Sequence, residues 1–489
     1  MVIYQAAFSR NLYVKIRART CLQYFPFSTK TRASFQRLAS PSFRNDFSHH
    51  DPHVARLNHG SFGATPTPVI KAEENFRSRW RANPDAFYFG QVLDQELLRA
   101  AKQVQLFLSG DHLQISSKNN INAREGKELG ELSVALVENA TVAVASIARR
   151  WASQMQNKNY TQETTNNKIM CLDVAYKAVE IALRQICGHD NVEVAHITQF
   201  EDAMALPSHY SSNSSFTRPQ LTDDDILKRL EVELYRTKPS YVMLEHVSSQ
   251  PAIRFPLNQM VQLCKEHNVK EIAVDGAHAI GMVDINIKEI DADFYFTNLH
   301  KWAFAAGPTC ALHMRSTHIT GQKNDLLQTP HAIPSWRSGE GIISESQWTG
   351  TRDYAATASI PEALKYLQQW RSADGYQVQY FNKKGCHEAL QELREAWNVN
   401  DPNDPAVADL DYFHESMGMI RLPPQLKIGD AKPGQPSGGV RKILREKYGI
   451  EAALGDFGKA GGFIRLSHAV YNTDEDIRRL RNAVFELSR

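Results

Sequence analysis

Between residues 134 and 314 a series of short apolar runs recurs, each rich in β-branched or aromatic residues and strand-sized rather than helix-sized. They are VALV (134–137), KIMCL (168–172), VEVAHI (192–197), SYVMLEHV (240–247), EIAVDG (271–276), DFYFTN (293–298) and CALHM (310–314). Between most of them lie helix-period patterns such as DDDILKRLEVELYR (223–236) and PLNQMVQLCKEHN (256–268). Alternation of this kind predicts an α/β fold: a mostly parallel, buried sheet with helices on both faces. Upstream, in LDQELLRAAKQVQLFL (93–108), apolar residues return every three or four positions, so the stretch from Thr67 to Ser109 is expected to be helical. The polar run at 111–130 reads as a surface insertion. After Asp374 the order changes to helix (384–397), a short strand around MGMIRL, the turn PGQPSGG, helix, the strand FIRLS and a last helix, the pattern of a smaller α+β domain.

Charge divides the chain differently. Residues 1–44 carry eight Lys/Arg and no acid among eight Ser/Thr, whereas the rest holds 48 basic against 54 acidic residues, a net −6. The first 44 residues are therefore expected to be an organelle transit peptide, mitochondrial or alternatively plastid; without such an address the chain would be cytoplasmic. An acidic body with interspersed charges offers no footprint for nucleic acid or an anionic membrane, so small molecules are the expected partners. No run approaches the roughly 20 apolar residues of a membrane-spanning helix. The six cysteines (21, 171, 187, 264, 310 and 386) include no CxxC pair, and neither a metal site nor a disulfide framework is expected.

In open α/β sheets ligands bind at the carboxyl ends of strands, which directs attention to three places. IAVDGAH ends a strand in Asp275 with His278 three residues on; such a carboxylate could hold a metal, cap a helix or pair with a cationic ring nitrogen. DFYFTNLHKW ends in Thr297 and Asn298, then delivers His300 and Lys301 beside Trp302. Burial there would lower the amine's pKa and ready it for Schiff-base chemistry, the alternative being a lysine that snorkels to water. VALVENAT runs through Asn139, Ala140 and Thr141 into a helix whose first N–H groups suit a phosphate, or whose Thr141 is simply a cap.

Anion site, strand-end Asp and Lys, in that order, resemble the fold-type-I pyridoxal phosphate enzymes. Eight ordered segments are similar to the class V aminotransferase superfamily, within it the isopenicillin N epimerase-like group, across about residues 53–486. They are LNHGSFGATP (57–66), VENAT (137–141), VAYKAV (174–179), EHVSSQPAIRFP (245–256), AVDGAHAIG (273–281), TNLHKWAFAAGPT (297–309), WTGTRDY (348–354) and IRLSHAVYNTDEDI (464–477). The resemblance implies a seven-stranded-type sheet in a large cofactor domain (86–372), an N-terminal segment (45–85) that reaches the active site and a small C-terminal domain (373–489).

It also implies roles. Lys301 would carry the cofactor, pyridoxal 5'-phosphate, and then move the proton at the substrate α-carbon. Asp275 would pair with the ring nitrogen and His278 would sit by the phenolic oxygen. Asn139, Ala140, Thr141, Asn298 and His300 would surround the phosphate, with Gly350 and Thr351 reaching it from a neighbouring subunit of a homodimer. Tyr176 would stack on the ring, or else pack in the core. Arg465 would hold the substrate carboxylate. Asn58 and His59 would close over the substrate, although His59 could instead brace a turn. Arg352 is expected to pair with Asp353 or a neighbouring carboxylate, Trp302 and Trp348 to pack. Glu245 stands where the family pattern leads one to expect Asp.

The same electron sink serves several reactions. Persulfide-forming desulfurases of this fold need a cysteine on a C-terminal loop, and none follows Cys386. The first expectation is a carbon–sulfur lyase of cysteine desulfhydrase type. The alternatives are an epimerase or racemase, with Tyr176 or His59 as second acid/base, an aminotransferase, and a catalytically silent paralogue. No GxGxxG follows an early strand to support a dehydrogenase.

Overall fold

In the computed structural model the described residues are 44–110, 132–156, 167–198, 222–315, 325–372, 375–399, 415–423, 425–426, 439–456 and 462–489. The expected transit segment and the 111–130 insertion lie outside them. A first short strand, β1 (Ala55–Arg56), precedes the main sheet. The seven apolar runs all become strands: β2 (Val134–Val137), β3 (Ile169–Leu172), β4 (Val192–Ala195), β5 (Tyr241–Glu245), β6 (Glu271–Asp275), β7 (Phe294–Asn298) and β8 (Cys310–Met314). They form one sheet in the order β2-β8-β7-β6-β5-β3-β4. Only β8 runs antiparallel to its neighbours, so the sheet is mostly parallel.

Period-two alternation feeds a core on each face. Met170, Leu172, Val242 and Leu244 join one apolar cluster, while Ile169, Cys171, Tyr241 and Met243 join the other. Both faces are covered, which is why these strands read as continuous apolar runs rather than alternating ones. Each fully buried aliphatic side chain contributes about 1.5–3 kcal/mol. Helix Ala140–Gln156 covers the second face through Ala143, Val144, Ile147 and Trp151. Helix Asp223–Thr237 covers the first with Ile226, Leu230 and Leu234, and its start is set by a capping box between Thr222 and Asp225.

After the two-residue pair β9 (Arg371–Ser372) and β10 (Gly375–Tyr376), a long helix, Gln377–Trp397, leads to a second sheet. There β11 (Met417–Arg421) and β13 (Ala453–Asp456) flank the central β14 (Gly462–Ser467), all antiparallel. Leu390, Leu393, Ile464, Leu466, Leu480 and Val484 make its core. The N-terminal segment is stitched to this unit: β1 pairs with β12 (Ile450–Glu451), and Asn58 bridges to Ser467. It then turns back over the large sheet, where Gly63 sits so close to the His300 carbonyl that a Cβ would lie 1.8 Å from the oxygen. The small sheet and the strand ends of the large one are thereby held around one cleft.

Candidate active site

Three strand ends meet at this cleft. β6 ends in Asp275, β7 in Asn298, and β2 runs through Glu138 and Asn139 into helix Ala140–Gln156. A one-turn helix, Leu299–Trp302, then presents Lys301, whose Nζ lies 3.1 Å from His278 Nε2. Burial, with Arg465 adding to it, lowers the pKa of the lysine, while Asp275 and Glu245 act against them. His278 is held well below its ordinary value by burial first and Lys301 second, so its ring is neutral. A neutral ring that accepts from the amine at Nε2 carries its proton on Nδ1, and this buried atom has no partner among the described residues. Asp275 is pushed up by burial although it accepts a 2.8 Å bond from the Ala277 N–H. Among the described residues it forms no ion pair with any lysine or arginine, and so is available to a cationic group from outside the protein.

The helix start beside them is organised by two asparagines. Asn139 Oδ1 accepts from the Val142 N–H at 3.1 Å, and Asn298 Oδ1 accepts from the Ala140 N–H at 3.0 Å. Thr141 is exposed at this end. His300 is half-buried, its Nδ1 held 2.9 Å from the Thr309 carbonyl. In the WTGTRDY loop, Gly350 adopts a left-handed φ of 102°, with open space where a side chain would begin. The same loop is tied to the β2 end through Glu138, which accepts from Thr349 Oγ1 and pairs with Arg352, both at 3.3 Å. Burial works against that carboxylate, yet His331 and Arg352 hold its pKa down to about 2. Glu138 is thus the carboxylate that Arg352 meets; Asp353 instead binds Arg77 at 2.7 Å. Trp302 is buried with Val247, Ala252, Met282 and Met417, and Trp348 lies against Tyr88 and Tyr354.

On the opposite wall, β14 presents Arg465. It is 3% exposed and its hydrogen-bond partners are neutral: Nη2 donates to Asn58 Oδ1 (2.8 Å) and Ser61 Oγ (3.0 Å), Nη1 to Ser249 Oγ (2.9 Å). Its Nε has no partner among the described residues, and burial lowers its pKa to about 10. A buried guanidinium without a carboxylate is costly unless an anion arrives to complete it. Ser61 and Ser249 belong to segments already singled out, LNHGSFGATP and EHVSSQPAIRFP, yet their contact with Arg465 joins residues 404 and 216 positions apart and has no local signal.

His59 does not face the cleft with a free nitrogen. Its Nε2 lies 2.9 Å from the Lys301 carbonyl and its Nδ1 3.0 Å from the Tyr471 hydroxyl, and burial drives its pKa down to about 3. This is the bracing arrangement, since an acid/base group needs a nitrogen that can reach substrate. Tyr471, partly buried behind it, lies in the IRLSHAVYNTDEDI segment, but the sequence alone assigns it no role of its own. Tyr176, the residue before helix Lys177–Cys187, leaves 57% of its surface exposed, which removes core packing as its role.

Residues 217–480 match the sequence model of a single family, described as Aminotransferase class-V, over more than half of the chain. The chain belongs to the class-V aminotransferase family. As a class-V enzyme it depends on pyridoxal 5'-phosphate, and the cleft fits that group: an amine, a helix start and, among the described residues, a strand-end carboxylate without an ion pair and a His278 nitrogen without a partner surround one space. The class-V chain is 29% identical over 465 residues to an Arabidopsis thaliana protein named probable L-cysteine desulfhydrase, chloroplastic, covering 92% of this chain and 86% of that one. It is 42% identical over 267 residues to the hercynylcysteine sulfoxide lyase of Schizosaccharomyces pombe, covering 53% and 61%. Among solved structures, a C-DES variant with glycine covalently linked to its PLP cofactor matches with a TM-score of 0.61 at 14% identity, covering 91% of this chain and 99% of that one, a likeness of fold.

Proposed function

We propose that the chain is a carbon–sulfur lyase of cysteine desulfhydrase type, which eliminates the sulfur substituent from the β-carbon of cysteine or a cysteine conjugate. The observation that carries this reading is the pairing of a buried Arg465, which forms no ion pair among the described residues, with a depressed-pKa Lys301 across one cleft, in a chain similar over 92% of its length to a relative named for cysteine desulfhydration. Arg465 takes the substrate carboxylate between Ser249, Asn58 and Ser61, which fixes the α-carbon. Lys301 would hold the cofactor and, once released, accept the α-proton at Nζ, with His278 Nε2 at 3.1 Å fixing the amine's direction. Asp275 would keep a proton on the ring nitrogen, His278 Nδ1 would face the phenolic oxygen, and Asn139, Ala140, Thr141, Asn298 and His300 would hold the phosphate. When bound, the cofactor supplies the electron sink. Epimerisation would require a second acid/base across the substrate. The engagement of both His59 nitrogens favours elimination, because it takes one of the two candidates out of reach.

The reading extends to assembly and address. A homodimer would bring Gly350 and Thr351 to the neighbour's phosphate, and the exposure of Phe89 and Trp336, at 71% and 83%, supports a covered face there. Residues 1–44 would direct import into an organelle, mitochondrial or alternatively plastid, and a relative named chloroplastic favours the plastid. The test is to load the purified protein with pyridoxal phosphate, add L-cysteine and assay sulfide and pyruvate. Both products in equal amounts are expected; a loaded protein that yields neither from L-cysteine, nor pyruvate from an S-substituted cysteine, removes the lyase reading.

A further inference from the structure

The pair of carboxyls at the ends of β5 and β6 is not accounted for by the chemistry above. The two strands are parallel and Glu245 is the register partner of Asp275. Register partners in a parallel pair leave the sheet on the same face, so the two carboxyls stand side by side at the cleft floor. Both are 3% exposed. The titratable groups that face Glu245 are Asp275 on β6, Lys301 on its one-turn helix and Cys171 on β3. Among the described residues no lysine or arginine forms an ion pair with either carboxyl, and the Lys301 amine is engaged with His278. Among the described residues Glu245 Oε1 has no hydrogen-bond partner, while the Tyr176 backbone lies near enough to the carboxyl to act against the effect of burial on its charge.

Two adjacent buried carboxylates sharing one partial counter-charge do not both ionise. Asp275 has the Ala277 N–H to stabilise its charge and lies where a cationic ring nitrogen is to be met. Glu245 has an oxygen with nothing to accept from. We propose that Glu245 is a positioning residue of the cofactor site, a neutral carboxylic acid that docks the Tyr176 backbone and leaves Asp275 as the single anion available to the ring nitrogen. Burial and the neighbouring Asp275 both push its pKa well above the ordinary value, in keeping with that charge state. This extends beyond the lyase reading and rests only on the cofactor assignment, because a neutral acid here serves any reaction in the same cleft.

The substitution Glu245→Gln keeps shape, neutrality and an acceptor for the Tyr176 amide; Glu245→Ala removes the anchor. In holoprotein near neutral pH, the infrared difference between wild type and Glu245→Gln is expected to show the carbonyl stretch of one protonated carboxyl, present in wild type and lost in the variant. The pH midpoint of the bound cofactor's visible band should coincide in the two proteins. Glu245→Ala should weaken cofactor binding about tenfold, the effect of leaving a docking bond unmade in a buried site. A difference spectrum without a protonated-carboxyl band overturns the proposal, as does a midpoint displaced by about one unit or more in Glu245→Gln, since either means that Glu245 carries charge. Should Glu245→Ala fail to fold, the glutamine variant alone decides. None of these readouts depends on sulfide release, so failure of the lyase reading leaves them interpretable.

Discussion

Lys301 answers to two demands at once: it must be unprotonated enough to react, and it must be held in one place. Burial and Arg465 meet the first by lowering its pKa, and His278, with His59 gripping the Lys301 carbonyl from behind, meets the second. Lys301→Ala is expected to abolish turnover and to lose the cofactor that, in wild type, borohydride reduction fixes to the chain through denaturation; appreciable retention of either would displace Lys301 from the role. Arg465→Ala removes a charge-assisted carboxylate contact, so KM for the amino acid should rise about 10- to 100-fold with a smaller change in kcat. Unchanged KM would take Arg465 out of the site. Most of these residues were legible one by one because each closes an apolar strand or opens a helix. The grouping of Ser61, Ser249 and Asn58 around Arg465 was not, since it is made by parts of the chain far apart in sequence.

At the scale of elements, what matters is how closely the N-terminal segment packs on the lysine helix. Gly63 has a φ of 71°, and a Cβ there would meet the His300 carbonyl oxygen at 1.8 Å and the Lys301 Cα at 2.9 Å. A left-handed conformation together with such a clash costs about 1–3 kcal/mol or more, and the strain falls on the turn that carries Lys301. Gly63→Ala is therefore expected to lower kcat and cofactor affinity together, while the small sheet, which it does not touch, keeps its packing; cofactor affinity equal to wild type would show that the contact is dispensable. The seven strands could be read from the sequence because a sheet covered on both faces demands unbroken apolar runs. The antiparallel direction of β8 could not, since strand direction depends on where the connection lands and leaves no trace in CALHM.

For the whole molecule, burial of neutral histidines has a consequence in acid. Burial lowers the pKa of His50 and His59 to about 3 and of His246, His313 and His468 to about 4. Between those values and the ordinary 6.5 the unfolded chain binds more protons than the folded one, so stability rises with pH through that window. Lowered Glu138 acts in the same direction at more acid pH, whereas raised Asp275 opposes it. The Tm is expected to fall as pH drops from about 7 to about 5; a flat Tm across that range would mean that these rings are charged in the fold. Assembly is the other property at this scale. Trp336→Glu places a charge on an 83% exposed indole and should shift sedimentation from dimer towards monomer, with loss of activity if Gly350 and Thr351 act across the interface. A chain that sediments as a monomer before substitution would end the dimer reading.

What the sequence by itself determined is local in origin: apolar runs that must be strands, strand ends that must be a ligand cleft, and the ordered segments that mark the family. The acid-free first 44 residues were equally readable, because composition needs no partner. Tertiary structure alone decided which of these residues act on one another. It turned His59 from a candidate acid/base into a brace by giving both its nitrogens to Lys301 and Tyr471, gave Arg352 to Glu138 rather than Asp353, and set Glu245 beside Asp275. The physical reason is that a side chain's charge and reach are set by burial and by neighbours brought from elsewhere in the chain, and no window of sequence contains both.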